Sequence, residues 1–371
     1  MTHDAPTVTA ASRPAGRSPS GARLRIGTRG SALATTQTTH VADTLHAVAG
    51  LDYDLVHVRT DGDTDRSSLA SLGGVGVFAA ALRGAILQGR VDAAVHSLKD
   101  LPTAPVPGLA IHAVPPREDP RDALCAAAGH TLTSLPLGAR VGTGSPRRAA
   151  QLRALRPDLT IVDLRGNVPT RLGRVTSGDL DAVVLAYAGL RRLGLESAVS
   201  EVFDPAVMLP APGQGALAVE ARDDVADDVA DALALLDDQA TRIRVTAERS
   251  VLSTMNAGCA TPVGALAEIV RIETRAESRT GHTLRGARLV LRACSTSPDG
   301  QRAVRAEAWA ELDECSPEGA IANLIAAHDL GREVAEILVD GGAAAFEDAT
   351  AVSRRGVLDA GNEDDVTNPG R

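Results

Sequence analysis

Two short segments nearly repeat each other, and they constrain the fold more than any other feature of the chain. Arg25–Ser31 reads RIGTRGS and Arg140–Ser145 reads RVGTGS; each follows a strand-like run and leads into a helix-like one. Later in each stretch comes an apolar run with nearly the same start, DAAVHS from Asp92 and DAVVLA from Asp181. Around these points strand-like and helix-like segments alternate. Strands are expected over Arg23–Thr28, Asp54–Arg59 and Asp92–Ser97, and helices over Ala32–Val48 and Phe78–Gln88. Such alternation implies parallel sheets with helical crossovers. The near-repeat implies two α/β domains of related design gripping a ligand between them, or else two unrelated βα turns with the same steric needs.

A chain of 371 residues exceeds the roughly 250–300 at which a single core stops growing, so two or three domains are expected. Pro205–Arg222 (PAVMLPAPGQGALAVEAR) is punctuated by Pro and Gly and then turns apolar. It reads as a hinge that returns the chain to the first domain. Helices are expected over Asp224–Leu236 and Thr241–Ala257, followed by strands over Val263–Ile269, Ala287–Ala293 and Arg302–Ala310 and a closing helix over Glu318–Val339. The polar stretch Glu273–Leu284 reads as a hairpin insertion. The resulting division is a first α/β domain over 23–116 and 213–238, a second over 117–212, and a small α+β domain over 239–348. Residues 1–22 and 353–371 are polar and read as disordered. Hydrophobic residues make up 44% of the chain but aromatic ones only 2%, so the cores must be packed with Ala, Val and Leu.

Several function classes recede at this point. A net charge of −9 counts against general nucleic-acid binding, which needs a basic surface. Basic clusters inside such an acidic chain point instead to a small anionic ligand. The four cysteines, Cys125, Cys259, Cys294 and Cys315, form no CxxC pair, leaving zinc and thioredoxin-like readings unsupported and suiting a reducing cytoplasm. No run has the length of a signal peptide's apolar core at the start, and none reaches the roughly 18 apolar residues of a membrane span.

The chemistry-bearing positions sit in loops. Gly27-Thr28-Arg29-Gly30-Ser31 and Gly142-Thr143-Gly144-Ser145-Pro146-Arg147-Arg148 lie between strand and helix. Backbone N–H groups at a helix start, hydroxyls and an arginine fork make an anion site, while Pro146 suits the first helical position. The alternative is an ordinary helix cap. Gly142-x-Gly144 lacks the third glycine of a dinucleotide fingerprint. Arg165, beside the Gly166-Asn167 turn, and Arg171 bring the loop guanidiniums to five, and a guanidinium fork suits carboxylates. His96-Ser97-Leu98-Lys99-Asp100-Leu101-Pro102 follows a buried strand, at the kind of strand end where α/β proteins place their sites. Asp100 there is either a site carboxylate that steadies a cation or a cap paired with Lys99. Gly73-Gly74-Val75-Gly76 is either an active-site lid or a plain loop. Cys259, between Gly258 and Pro262 after a long helix, is either an inert buried thiol or a functional one. No histidine stands near it in sequence to make it a protease-type nucleophile.

Taken in order, these segments resemble the hydroxymethylbilane synthase (porphobilinogen deaminase) family. The resemblance runs through RIGTRGS, TDGD (Thr60–Asp63), VHSLKDLP, EDPRDAL (Glu118–Leu124), GTGSPRR, LRGNVPTRL, LAYAGLRRLGL, LPAPGQGAL and GCATPVGA, nearly the whole chain apart from the two tails and the insertion. It implies two domains similar to type II periplasmic binding proteins plus a small α+β C-terminal domain. The implied reaction joins four porphobilinogen molecules head to tail with loss of ammonia, and water then releases hydroxymethylbilane. The implied cofactor is dipyrromethane, held as a thioether by the residue matching Cys259, with Asp100 matching the catalytic carboxylate. Arg29, Arg147, Arg148, Arg165, Arg171 and Lys99 would seat the carboxylates of the growing polypyrrole. Ser31, Ser97, Thr143, Ser145, Gly166 and Gln214 would add contacts, and no metal is implied. A cytoplasmic monomer without nucleic-acid or membrane partners is expected.

Two departures stand out. The family's lid commonly carries lysines where this chain has Ser71 and Val75, so no role of those lysines transfers; Phe78 is retained and would stack on a pyrrole. Gly144-Ser145-Pro146 stands where Ser-Ser-Leu is frequent. A rival reading, a two-lobed solute-binding protein without catalysis, predicts an export signal and gives Cys259 no task. A ligand-sensing regulator would need a DNA-binding region that the sequence does not offer.

Overall fold

The first strand, β1 (Leu24–Thr28), pairs in parallel with β2 (Tyr53–His57) and with β3 (Ala93–Ser97). This is a computed structural model, and it describes residues 23–59, 77–256, 261–275, 283–313 and 319–346. Helix α1 (Ala32–Ala49) follows β1 because Ser31 caps it: the Ser31 side chain accepts the Ala34 N–H, and Gly50 closes the far end in the left-handed region. Helix α2 (Val77–Leu87) leads into β3, whose first four residues are buried. The chain then makes β4 (Leu109–Ala113), leaves, and returns much later as β10 (Leu217–Arg222), which lies antiparallel between β3 and β4. Sheet order is β2-β1-β3-β10-β4. Ile26, Leu45, Val95, Val219 and Leu233 fill one face, the last from α6 (Asp227–Ala234), and Leu82, Ile86 and Val91 fill the other.

The second sheet repeats this plan. It holds β5 (Asp122–Ala126), β6 (Arg140–Gly142), β7 (Thr160–Val162), β8 (Ala182–Ala186) and β9 (Glu201–Val202) in the order β7-β6-β8-β5-β9. β6 runs parallel to β7 and β8, while β5 runs antiparallel to β8 and β9. Thus β6 plays the part of β1, and β5 the part of β10. Helices α3 (Pro146–Leu155), α4 (Val168–Thr176) and α5 (Tyr187–Arg192) complete the lobe. RIGT and RVGT therefore stand at the ends of equivalent strands of the two lobes, β1 and β6, and their glycines have one cause. A Cβ on Gly27 would stand 3.1 Å from Leu82 Cδ2, and one on Gly142 only 2.6 Å from Leu180 Cδ1.

Both sheets are mixed where alternation alone implies parallel ones. The antiparallel strands, β10 and β5, are those entered directly from the two crossover segments, so no helix intervenes to reverse the chain. The fold class is accordingly α/β with two lobes of like topology and a smaller α+β unit. That unit is an antiparallel meander, β11 (Val263–Arg275), β12 (Thr283–Thr296) and β13 (Ala303–Leu312), packed against α7 (Gln239–Thr254) and α8 (Gly319–Asp340). Ile243, Val251, Leu289, Leu291, Leu330 and Val334 form its core. The β11–β12 ladder runs out to Arg275 opposite Thr283, so the stretch expected as an insertion is strand at its two ends, and residues 276–282 between them lie outside the described residues. Helix α7 is also shorter than its apolar pattern implies. It ends at Thr254, and Asn256 takes the left-handed conformation (φ 50°), which asparagine tolerates. Met255 is its C-cap.

Candidate active site

Asp100 ends a single 3-10 turn, Leu98–Asp100, that follows β3 directly. It is exposed to a cleft shared with Arg29, Ser31, Gln37, His96 and Ser97. Arg29 and Ser31 come from the first Gly-Thr turn, so two strand ends of one lobe, β1 and β3, build this wall. The Ser31 oxygen caps α1 and keeps its proton available to donate. Ser97 Oγ donates to Gln37 Oε1 at 3.1 Å, so its proton is already used within the wall.

Cations from both lobes meet at the same place. Lys99 and Arg171 both lie within electrostatic range of Asp100 and of Arg148. Burial, reinforced by Arg148, lowers the Lys99 ammonium to about 8. Burial together with Arg148 and Arg165 lowers Arg171 to about 10. Arg171 Nε donates to the carbonyl of Gly166, whose φ of 106° makes that turn. Arg165 lies 3.8 Å from Asp163, and its Nε is buried without a hydrogen-bond partner.

Arg147 and Arg148 stand differently from the other guanidiniums. They are only 3% and 5% exposed, and both converge on Asp122, which is fully buried. Arg148 reaches Asp122 Oδ1 with Nε at 2.9 Å and Nη2 at 2.7 Å, and Arg147 Nη1 lies 2.7 Å from Oδ2. Burial alone would raise the Asp122 carboxyl, but the two guanidiniums outweigh it and hold it well below the usual carboxylate range. Gln214 extends the cluster. Its Nε2 donates to Pro120 O and Asp122 Oδ1, and its Oε1 accepts from Lys99 Nζ at 3.1 Å. Gln214 thus bridges the crossover chain, the second lobe's Asp122 and the first lobe's Lys99. The Ser145 side chain accepts the Arg148 N–H as the α3 cap, and Thr143 Oγ1 accepts the Ser145 N–H. The cap alternative is therefore realised at both Gly-Thr turns, and a cap leaves the hydroxyl proton free for a ligand.

Several residues around the cleft carry no sequence signal strong enough to single them out. Asp122 lies in EDPRDAL, a segment recognisable as a motif but without an assigned task. Glu220, on β10, accepts from Arg83 Nε at 3.0 Å and lies 3.1 Å from His96 Nε2, directly behind the wall that holds Asp100. Glu248, on α7, accepts from Arg117 at 2.6 and 2.8 Å and from the Gly213 N–H at 2.7 Å, so one carboxylate holds both crossover chains. Phe78 is the second residue of α2, and its side chain lies outside the described residues. Cys259 and the glycine-rich segment with Ser71 and Val75 also lie outside them. Among the described residues no group of His, Cys, Asp and Glu could hold a metal ion.

The cleft thus gathers six cations, Arg29, Lys99, Arg147, Arg148, Arg165 and Arg171, around three carboxylates, Asp100, Asp122 and Asp163. That excess of positive charge, buried at Arg147 and Arg148 and half-buried at the other four, is the chemistry of a site for a polycarboxylate. Comparison with known proteins gives the family. Residues 24–230 match the model of the porphobilinogen deaminase, dipyromethane cofactor binding domain, and residues 242–340 match that of the porphobilinogen deaminase, C-terminal domain. The chain belongs to the porphobilinogen deaminase family. It is 53% identical to the porphobilinogen deaminase of Cutibacterium acnes over 341 residues, covering 88% of this chain and 98% of that one. The Mycobacterium tuberculosis protein of the same name is 54% identical over 283 residues, with 76% and 89% covered. Among solved structures, a periplasmic substrate-binding protein from Coxiella burnetii aligns with 57% of this chain and 91% of its own at a TM-score of 0.39 and 15% identity. Membership makes the chain a transferase of tetrapyrrole biosynthesis, with hydroxymethylbilane synthase activity and a dipyrromethane cofactor. The buried cations whose charge is penalised, Lys99 and Arg171, and the unmatched Nε of Arg165 fit that cofactor, whose acetate and propionate groups would relieve each of them.

Proposed function

We infer that Asp100 is the catalytic carboxylate of this enzyme, that Cys259 anchors the cofactor, and that Arg29, Lys99, Arg165 and Arg171 seat the carboxylates of substrate and product chain. One observation carries the reading: Asp100 is the carboxylate exposed at the end of β3, in a cleft lined by Arg29 and within electrostatic range of Lys99 and Arg171. When bound, the dipyrromethane supplies the free pyrrole α-carbon to which the first substrate unit is joined. The aminomethyl nitrogen of porphobilinogen leaves as ammonia with the bonding pair, and the methylene-pyrrole left behind is cationic. Asp100 accepts the pyrrole N–H and stabilises that charge as it develops. It then takes the proton that the acceptor carbon loses once the new carbon–carbon bond has formed.

Arg147 and Arg148 are the floor of the site, held in place by Asp122 and by the Leu209 and Val184 carbonyls, and they act on bound carboxylates by their field. Ser31, Thr143 and Ser145 add hydroxyl donors, Gly166 shapes the second-lobe wall, and Gln214 ties the two walls together from Lys99 to Asp122. The reading takes the lobes as 23–116 with 213–238 and as 117–212, with Cys259 on a third domain over 239–348. It includes a cytoplasmic monomer, which light scattering tests by a mass near 38.2 kDa.

Two measurements test the reading. Intact mass of the purified protein should exceed the sequence mass by two linked pyrroles, and Cys259→Ser should lose the excess. Asp100→Ala should keep the fold and cofactor but lose about 10²–10⁴-fold in turnover. Active protein at the plain sequence mass would overturn the anchor, and full activity of Asp100→Ala would overturn the catalytic assignment.

A further inference from the structure

The turn that carries Lys99 and Asp100 is not held by its own lobe alone. It contains a single internal hydrogen bond of its own, from Leu101 N–H to Leu98 O at 3.1 Å. A lone 3-10 turn has poor hydrogen-bond geometry and little intrinsic stability, and its last carbonyls need outside donors. Those donors come from Arg249. Its Nη1 donates to Leu98 O at 3.1 Å and to Leu101 O at 2.8 Å, and its Nη2 donates to Pro102 O at 2.9 Å. A planar guanidinium with donors at fixed angles defines the orientation of three carbonyls at once. A lysine ammonium, a flexible point charge, would not. Arg249 belongs to α7, the helix of the third unit that ends five residues before Cys259 in sequence. Its neighbour Glu248 holds the two crossover chains through Arg117 and Gly213.

We propose that Arg249 is a positioning residue for the reaction: its guanidinium fixes the turn Leu98–Pro102 and so sets the direction in which Asp100 and Lys99 face the cleft. The proposal rests on the reading of Asp100 as the catalytic carboxylate. Loss of the clamp leaves Asp100 chemically intact but frees its backbone to move. A displacement near 1 Å at a reacting group can cost on the order of 10²-fold in rate. Substrate carboxylates would still find their guanidiniums, so binding should change little.

The test uses Arg249→Ala and Arg249→Lys as cofactor-loaded holoenzymes, with Asp100→Asn alongside. For Arg249→Ala the expected kcat loss is about 10- to 100-fold with KM within about threefold of wild type. Intact mass should show the cofactor retained, and amide hydrogen exchange at Leu101 should be faster. Arg249→Lys should fall between alanine and wild type, since one ammonium can meet only part of the carbonyl set. If Arg249→Ala does not fold, Arg249→Lys decides by the same readings. Wild-type kcat in Arg249→Lys, a loss confined to KM, or a kcat loss with unchanged exchange at Leu101 each overturn the proposal. Wild-type activity in Asp100→Asn instead sinks the catalytic reading, and the exchange result at Leu101 then stands apart from it.

Discussion

Replacing Asp122 by asparagine removes one charge and almost no volume. In the native cluster the carboxylate is fully buried and faces two guanidiniums at 2.7 Å, with Gln214 Nε2 a further donor at 2.9 Å. An asparagine oxygen in the place of Oδ1 still accepts from Arg148. Its amide nitrogen would then point a donor at the Arg147 donor, and Lys99, Arg147 and Arg148 would share a buried space without their common anion. Removing one partner of a buried ion pair costs about 3–5 kcal/mol. Set against a typical domain stability of about 5–15 kcal/mol, that is a large fraction, and it should be read in urea as a lower midpoint with an unchanged slope. Circular dichroism is the suitable probe, because the chain's one tryptophan, Trp309, stands on β13 in another sheet. The sign with pH is fixed by direction. Asp122 is held below its ordinary value, so its contribution is fully present above the unfolded carboxylate range near ~3.9 and is lost as pH falls through the lower folded value. The wild type should therefore show an acid-dependent loss that Asp122→Asn lacks. Asp122 also helps keep Lys99 protonated, so the alkaline limb of kcat/KM should move to lower pH in the variant. A stability loss under about 1 kcal/mol, together with an unmoved limb, would refute the reasoning.

Lys99, lowered to about 8, should itself set that alkaline limb in the free enzyme; Lys99→Met should abolish it and raise KM at neutral pH. Below about 8 both folded and unfolded forms carry the proton and the burial cost is complete. Between about 8 and 10.5 the folded form sheds its proton first, so the cost is relieved while the carboxylate seat is lost. Cys125, pushed up to about 11 by burial, and the buried Cys294 should resist alkylation in the native protein and react in urea, as peptide mapping would show. Gly331→Ala should cost about 1–3 kcal/mol of stability, measured by thermal unfolding. A Cβ there would stand 2.3 Å from Ala247 O, where α8 crosses α7.

Much of the fold was legible in local pattern. The paired turns RIGT and RVGT stand at equivalent places in two sheets of one topology, and DAAVHS and DAVVLA became the buried strands β3 and β8. Such features leave a mark in local residue order: an apolar run for a buried strand, a capping serine at a helix start. The direction of β5 and β10 was not legible, because it depends on where the crossover chains enter a sheet. In the site, Asp100, Arg29, Lys99, Arg165 and Arg171 announce themselves by residue type at strand ends. Their division into seats and floor does not.

That division was decided through space. Arg147 and Arg171 are both loop-proximal arginines in the sequence, but only Arg147 folds against a buried carboxylate, and burial beside Asp122 determines how much of its charge is left for a ligand. The Arg249 clamp joins residues 147 to 151 positions apart, and the Glu248 grip on Arg117 joins residues 131 apart. No local pattern marks such partners, since a long side chain at helical spacing looks the same whether it meets water or three carbonyls of a distant turn. The order of motifs along the chain determined which reaction this protein belongs to. Only tertiary contact, by removing charges from water and setting them against one another, decided which side chains stand open at the cleft and which hold those side chains in place.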